Sequence, residues 1–320
     1  MKKVFLFPFL VLYSAFGTAF TTLNPTVSQK NLDLMVLKEI TVIRGGSSVS
    51  LHSTPPPVGD VKLPPGLFQN AVALGQAKAA SPVFKIFCLG ILSGVQIGFG
   101  MLLAAMVGGD CGGLAAANNT GLKRIITGAF GLPFGLYMVL VGGGELYTGN
   151  TALVTAALLE KKATLKQLVK NWITSYLGNF VGALLMVFAV TSANIITNTS
   201  AVTGLVAAKT AVSFSTAFWR GVLCNYLVCM AVWMATGCSS AIGKITSIFL
   251  PISAFVALGT DHSVANMFLL PLGLLYGDGS VSVSDILFKN LLPVTLGNTF
   301  AGAICVATMF YLVYGNSKKA

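Results

Sequence analysis

The sequence predicts an all-α membrane protein, a bundle of six spans built as an inverted pair of three-span halves with one broken helix in each half. Three observations predict it. Of 320 residues, 55% are hydrophobic and 9% charged, against about 25% charged in an ordinary soluble domain, so the chain cannot cover itself with water-facing side chains. Six apolar windows reach the roughly 20 residues needed to cross a bilayer, once two interrupted ones are allowed. Finally, the two interruptions and the segments that follow them match each other in order.

The first sixty or so residues read as an address. Met1 to Ala19 carries Lys2 and Lys3, the apolar stretch VFLFPFLVLY and the small residues Gly17 and Ala19, the layout of a secretory signal. Residues 20–62 are rich in Ser, Thr and Pro and have no long apolar period. The stretch SAFGTAFTTL resembles the bipartite plastid leaders of algae with secondary plastids, in which Phe (here Phe20) follows the cleavage site. An ordinary signal peptide followed by an extracellular tail is the other reading. A pre-membrane segment (63–82), a membrane domain (83–316) and a short tail (317–320) complete the expected organisation.

The apolar windows run from Ile86 to Val107, Ile125 to Leu159, Trp172 to Ala193, Phe214 to Thr236, Thr246 to Tyr276 and Leu291 to Tyr314. The second and fifth are too long for one span. Each contains a polar, helix-breaking interruption, GGGELYTGN from Gly142 and GTDHSVAN from Gly259. In lipid such a break is tolerated only where the freed backbone meets protein or a water-lined cavity.

The breaks correspond: Glu145 precedes Asn150 by the same interval as Asp261 precedes Asn266. The spans that follow also correspond, NWITSYLGN from Asn171 and NLLPVTLGN from Asn290. The second half therefore copies the first, and an odd number of spans per copy inverts it. Lys78, Lys85, Lys161, Lys162, Lys166, Lys170, Lys244, Lys318 and Lys319 fall on the side shared by both termini, against Lys123, Arg124, Lys209 and Lys289 opposite. The positive-inside rule puts both termini on the cytoplasmic-equivalent face. The net charge of +11 is thus spread between spans instead of clustered with aromatics, which excludes a nucleic-acid partner. Cys88, Cys111, Cys224, Cys229, Cys238 and Cys305 lack metal or redox spacing and read as small residues at helix contacts.

An inverted pair of broken helices brings two half-helix N-termini toward the midplane, where unpaired N–H groups favour an anion. Thr148 and Ser263 are candidate caps there. Glu145 and Asp261 are expected to structure their own loops by accepting backbone N–H bonds, not to touch substrate. His262 is the sole histidine of the membrane domain and lies in a break, a position that favours a functional role over a satisfied core residue. Asn225 and Asn298 carry amides that must find partners at membrane depth, either at a pore or as interhelical glue.

With GGELYTGN, NWITSYLGN, LCNYLVCMAVW, DHSVANMF and NLLPVTLGN in this order, the chain resembles the formate/nitrite transporter family over about Lys78 to Tyr314. The resemblance implies an aquaporin-like fold, a homopentamer in membrane lipid and a pore for a small monovalent anion in each protomer. It places Thr148 and His262 at the pore centre with Asn225 and Asn298 around them. Leu136, Leu146 and Tyr147 would form the constriction on the terminus side, Phe255 the one on the far side, and Lys209 a vestibule cation. Tyr147 and Thr260 stand where Phe is usual, and Asp261 where Glu is usual, which bears on selectivity.

Nitrite is the anion expected if the leader addresses a plastid envelope, with formate beside it and bicarbonate as a further candidate; a plasma-membrane formate or lactate transporter is the alternative. Passive and proton-coupled flux both remain open. No cofactor, metal or catalytic residue is implied. An aquaporin-type neutral-solute channel lacks its paired Asn-Pro-Ala signatures here, and an intramembrane enzyme lacks an HExxH pair or a placed nucleophile.

Overall fold

The computed structural model describes residues 61–315; the expected signal peptide, nearly all of the transit-like segment and the C-terminal tail lie outside the described residues. Helix α1 (Pro64–Ala80) starts on two prolines whose missing N–H groups cost nothing in a first turn. It is followed by α2 (Val83–Asp110), a short α3 (Gly112–Ala116), α4 (Thr120–Ala129), α5 (Leu132–Gly142) and α6 (Tyr147–Leu159). Next come α7 (Leu165–Ala193), α8 (Thr199–Thr210), α9 (Phe214–Ala235), α10 (Ala241–Leu258), α11 (Ser263–Tyr276) and α12 (Val283–Tyr314). Among the described residues, six segments are long and apolar enough to cross a membrane: α2, α4 with α5, α7, α9, α10 and α12.

Local chemistry sets the ends. Thr164 and Gln167 form a reciprocal capping box at the start of α7, while Ser213 and Ser240 accept first-turn N–H bonds at α9 and α10. The breaks begin at glycines with positive φ, Gly143 at 95° after α5 and Gly259 at 73° after α10. Thr260 then turns its hydroxyl back onto the Phe255 carbonyl (2.9 Å), tightening the end of α10. In α12 the ladder widens into π-turns at Ile286–Leu291 and Ala301–Thr308. Pro293, which has no N–H to give, sits just after the first.

The halves are α1 to α7 and α8 to α12. In the first, α1 packs on α6 and α2 crosses α7; in the second, α8 packs on α11 and α9 crosses α12. The crossings are close because small residues meet there: a Cβ on Gly90 would lie 3.1 Å from the Gly178 Cα, and one on Gly182 would lie 3.0 Å from the Gly94 Cα. Gly221 and Gly297 play the same part between α9 and α12. The segment read as merely preceding the membrane domain is therefore an integral helix, with Phe68, Ala71 and Val72 buried in the core. Its moderate polarity conceals that role.

Candidate functional site

Each break is held by a matched set of buried polar groups. In the first, the Glu145 carboxylate accepts from Lys78 Nζ (3.0 Å) and from Asn150 Nδ2 (2.6 Å). Asn150 also donates to Asn171 Oδ1 (3.0 Å), and Asn171 donates to the Lys78 carbonyl (3.3 Å). In the second, Asp261 is ion-paired with Lys209 and accepts from Asn266 Nδ2 (3.0 Å). Asn266 donates to Asn290 Oδ1 (2.7 Å), and Asn290 donates to the Lys209 carbonyl (3.0 Å). Both carboxylates accept from side-chain donors, a lysine and an asparagine, instead of the backbone N–H groups expected from sequence. A lysine and an amide supply the charge compensation that a buried carboxylate needs.

The half-helix N-termini are docked in the same matched way. Asn179 Oδ1 accepts the first N–H of α6, that of Tyr147 (2.9 Å), and Asn298 Oδ1 accepts the first of α11, that of Ser263 (2.9 Å). Their Nδ2 groups donate to Gly90 and Glu145 carbonyls, and to Gly221 and Asp261 carbonyls. Thr148 and Ser263, read from sequence as caps, do not take that role; the capping positions are Leu146 and His262.

His262 caps α11 with its ring: Nδ1 accepts the Ala265 N–H (3.1 Å), so the neutral ring carries its proton on Nε2. Nε2 lies 2.9 Å from Thr148 Oγ1. The Thr148 carbonyl in turn accepts from Thr151 Oγ1 (2.6 Å) and Asn225 Nδ2 (3.2 Å), and Asn225 also donates to the Asn298 carbonyl (2.6 Å). The residues singled out in four different helices or breaks thus meet at one point, and all are buried. The imidazole stacks on Phe255 with ring centroids 6.1 Å apart.

A gap of about 10 Å³ lies here, lined by Ile97, Leu132, Leu136, Leu146, Val228, Ile252, Phe255 and His262, at the lower limit of space for one water. On the far side a cavity of about 120 Å³ touches Lys209, Phe255, Thr260 and His262. On the terminus side a cavity of about 480 Å³ is lined by Asn70, Leu74, Leu140, Val232 and Lys244 among others.

Aligning the halves on Lys78/Lys209, Gly90/Gly221 and Glu145/Asp261 superposes Leu74 on Leu205, Leu140 on Val256, Met101 on Val232 and Ala104 on Ala235. One member of each pair lines each cavity, so the two cavities are the same chamber duplicated by the repeat. Three counterpart pairs line the central gap, Ile97 with Val228, Leu136 with Ile252 and Leu146 with His262, together with Leu132 and Phe255, whose counterparts Ile248 and Val139 do not. His262 breaks that symmetry by standing opposite Leu146, and its partner Thr148, behind the wall, corresponds to Val264.

Leu136 and Leu146, expected on the terminus side, and Phe255, expected on the far side, line one and the same gap, whereas Tyr147, expected with the two leucines, does not. Its ring packs edge-on against Tyr176 and Trp172, and its hydroxyl bonds Thr299 (2.7 Å), which draws it between α7 and α12. Lys209 does line the far cavity, but its ammonium is committed to Asp261. The amides of Asn150, Asn171, Asn179, Asn266 and Asn290 and the ammonium of Lys78 were not singled out from sequence as site residues. The repeat itself was the signal for the asparagines, since each has a counterpart in the other half.

The sequence profile of the formate/nitrite transporter family matches residues 65–312. The chain belongs to this family. It is 38% identical over 272 residues to a probable formate transporter of Methanothermobacter thermautotrophicus, covering 79% of this chain and 97% of that one. Among solved structures, an FNT family ion channel superposes with a TM-score of 0.70 at 27% identity, over 78% of this chain and 98% of that chain. A pentameric formate channel with formate bound superposes with a TM-score of 0.64 at 28% identity, over 72% and 97% respectively. Family membership and six apolar helices make the chain a multi-pass integral membrane protein.

Proposed function

We propose that each protomer conducts a small monovalent anion, formate in the first place and nitrite beside it, through the gap at Thr148 and His262. The carrying observation is the Thr148–His262 contact (2.9 Å): among the described residues lining the otherwise apolar gap His262 is the polar one, it also lines the far cavity, and its Nε2 meets the buried Thr148 hydroxyl. A bare anion is costly there because little water accompanies it. A hydroxyl and an Nε2–H at the narrowest point offset part of that cost, more for a planar two-oxygen anion than for a spherical halide.

The bond from Ala265 gives the ring its part. Nδ1 is occupied as an acceptor, so a second ring proton would face an N–H instead of a lone pair. His262 therefore acts as a hydrogen-bond donor and polarising group, and any proton that travels with the anion comes from water in the chambers. Formate leads because the similar proteins include a probable formate transporter and a formate channel with formate bound. The plastid-like leader supports nitrite and a plastid envelope, and assembly as a homopentamer follows the likeness to the pentameric channel.

The test is formate uptake into proteoliposomes at two pH values. Wild-type protein is expected to take up formate faster as external pH falls, His262→Phe to lose most of the flux, and His262→Asn to retain part of it with the wild-type pH slope. A flattened pH slope in His262→Asn would show that the ring itself delivers the proton. Nitrite competing with formate uptake would place it among the cargoes.

A further inference from the structure

The two chambers match in shape-determining residues but differ in size and in charge. Each mouth lysine fixed by the repeat is neutralised by an acid: Lys78 by Glu145 and Lys209 by Asp261. The terminus-side chamber holds a further cation, Lys244 of α10. It has no counterpart opposite, where Gly128 occupies the matching position and packs on α10 through the Ser253 carbonyl and Ala257. Among the described residues Lys244 makes no ion pair, and no acid lines its chamber. Around it lie Ala73, Leu74, Leu140, Val232 and Ala235, an apolar wall, with Asn70 and Thr236 already bonded to each other.

A partly buried lysine with no carboxylate partner among the described residues, lining a mostly apolar chamber of about 480 Å³, is complementary to a ligand with one negative charge and an apolar body. We propose that the terminus-side chamber is a binding site for monovalent amphipathic organic anions, held through Lys244, whose occupation blocks the pore from that side alone. The far chamber, with about 120 Å³ and a lysine already paired, does not accept such a ligand. An apolar body much larger than formate keeps the ligand in the chamber, since the gap at His262 offers about 10 Å³. The blocking part of this proposal rests on the reading of the chain as an anion pore; the binding part does not.

The probe is benzenesulfonate, a strong-acid anion that stays charged and does not cross lipid. Applied to proteoliposomes of known orientation, it is expected to inhibit formate flux from the terminus side and to be ineffective from the far side. Lys244→Gln should raise the half-blocking concentration roughly fivefold or more, the worth of one partly buried charge contact, with formate still conducted. Lys244→Arg should restore the block. Calorimetric binding of benzenesulfonate to the purified protein, repeated with Lys244→Gln, reads the site without reference to flux. Absence of formate flux with Lys244-dependent binding intact would sink the pore reading and leave the site standing. Equal block from both sides, or binding and block unchanged in Lys244→Gln, would overturn the site.

Discussion

Glu145 and Asp261 show how two half-membrane loops are made rigid with the same parts. A carboxylate with 7% or 0% exposure is tolerable only when its charge is matched, and in each half a lysine from the half's first helix and an asparagine five residues on supply the match. Removing one partner strands the other. Glu145→Gln and Asp261→Asn are each expected to lower stability in detergent by about 3 kcal/mol, and Lys209→Met combined with Asp261→Leu to recover most of the loss. Additive losses in the double variant would show that the pair is not coupled. The carboxylates, the asparagines and His262 stand out in the sequence because polar residues at membrane depth are conspicuous. Their partners do not: Lys78 lies 67 residues from Glu145 and Lys209 lies 52 from Asp261, and no local period links them.

At the scale of elements, the breaks are placed by their neighbours as much as by their own glycines. The α2–α7 crossing is tight because Gly94 and Gly182 let backbones touch, and it carries Asn179, which docks α6. A Cβ on Gly94 would meet the Ala183 nitrogen at 2.8 Å and the Asn179 carbonyl carbon at 2.9 Å, backbone atoms that cannot step aside. Gly94→Ala is expected to cost a few kcal/mol and to reduce formate flux, whereas Gly121→Ala, with open space around it, should be neutral or stabilising by up to about 1 kcal/mol. Thermal unfolding of both variants in one detergent decides it, and equal shifts would remove the crossing's special role. The six spans were legible because length and hydropathy are local properties. That α1 and α8 belong to the bundle was not, because each shows its apolar face only once α6 or α11 is there to cover it.

At the scale of the whole molecule, an inverted repeat makes two equivalent chambers, and the sequence then differentiates them. Leu146 against His262 and Thr148 against Val264 give the polar pair no copy in the other arrangement of the repeat, and Lys244 makes one chamber unlike the other. On the proposed reading, with a path in each protomer of a pentamer, pentamers mixed from wild-type and His262→Phe chains are expected to lose flux in proportion to the inactive fraction. A steeper loss would indicate a path shared between protomers. Exposed apolar side chains such as Phe84, Phe188 and Leu250 cover the outside of the bundle, as lipid contact requires.

By itself the sequence determined the class of molecule, the number of spans, the inverted duplication and the two breaks with Thr148 and His262 in them, because bilayer thickness and backbone hydrogen bonding act on consecutive residues. Only the tertiary structure decided that these two side chains touch, that both repeat lysines are spent on the loop acids, and that Tyr147 leaves the constriction for Thr299. Those outcomes depend on which side chains from distant helices share a buried space, and there every unmatched charge or donor must find its partner.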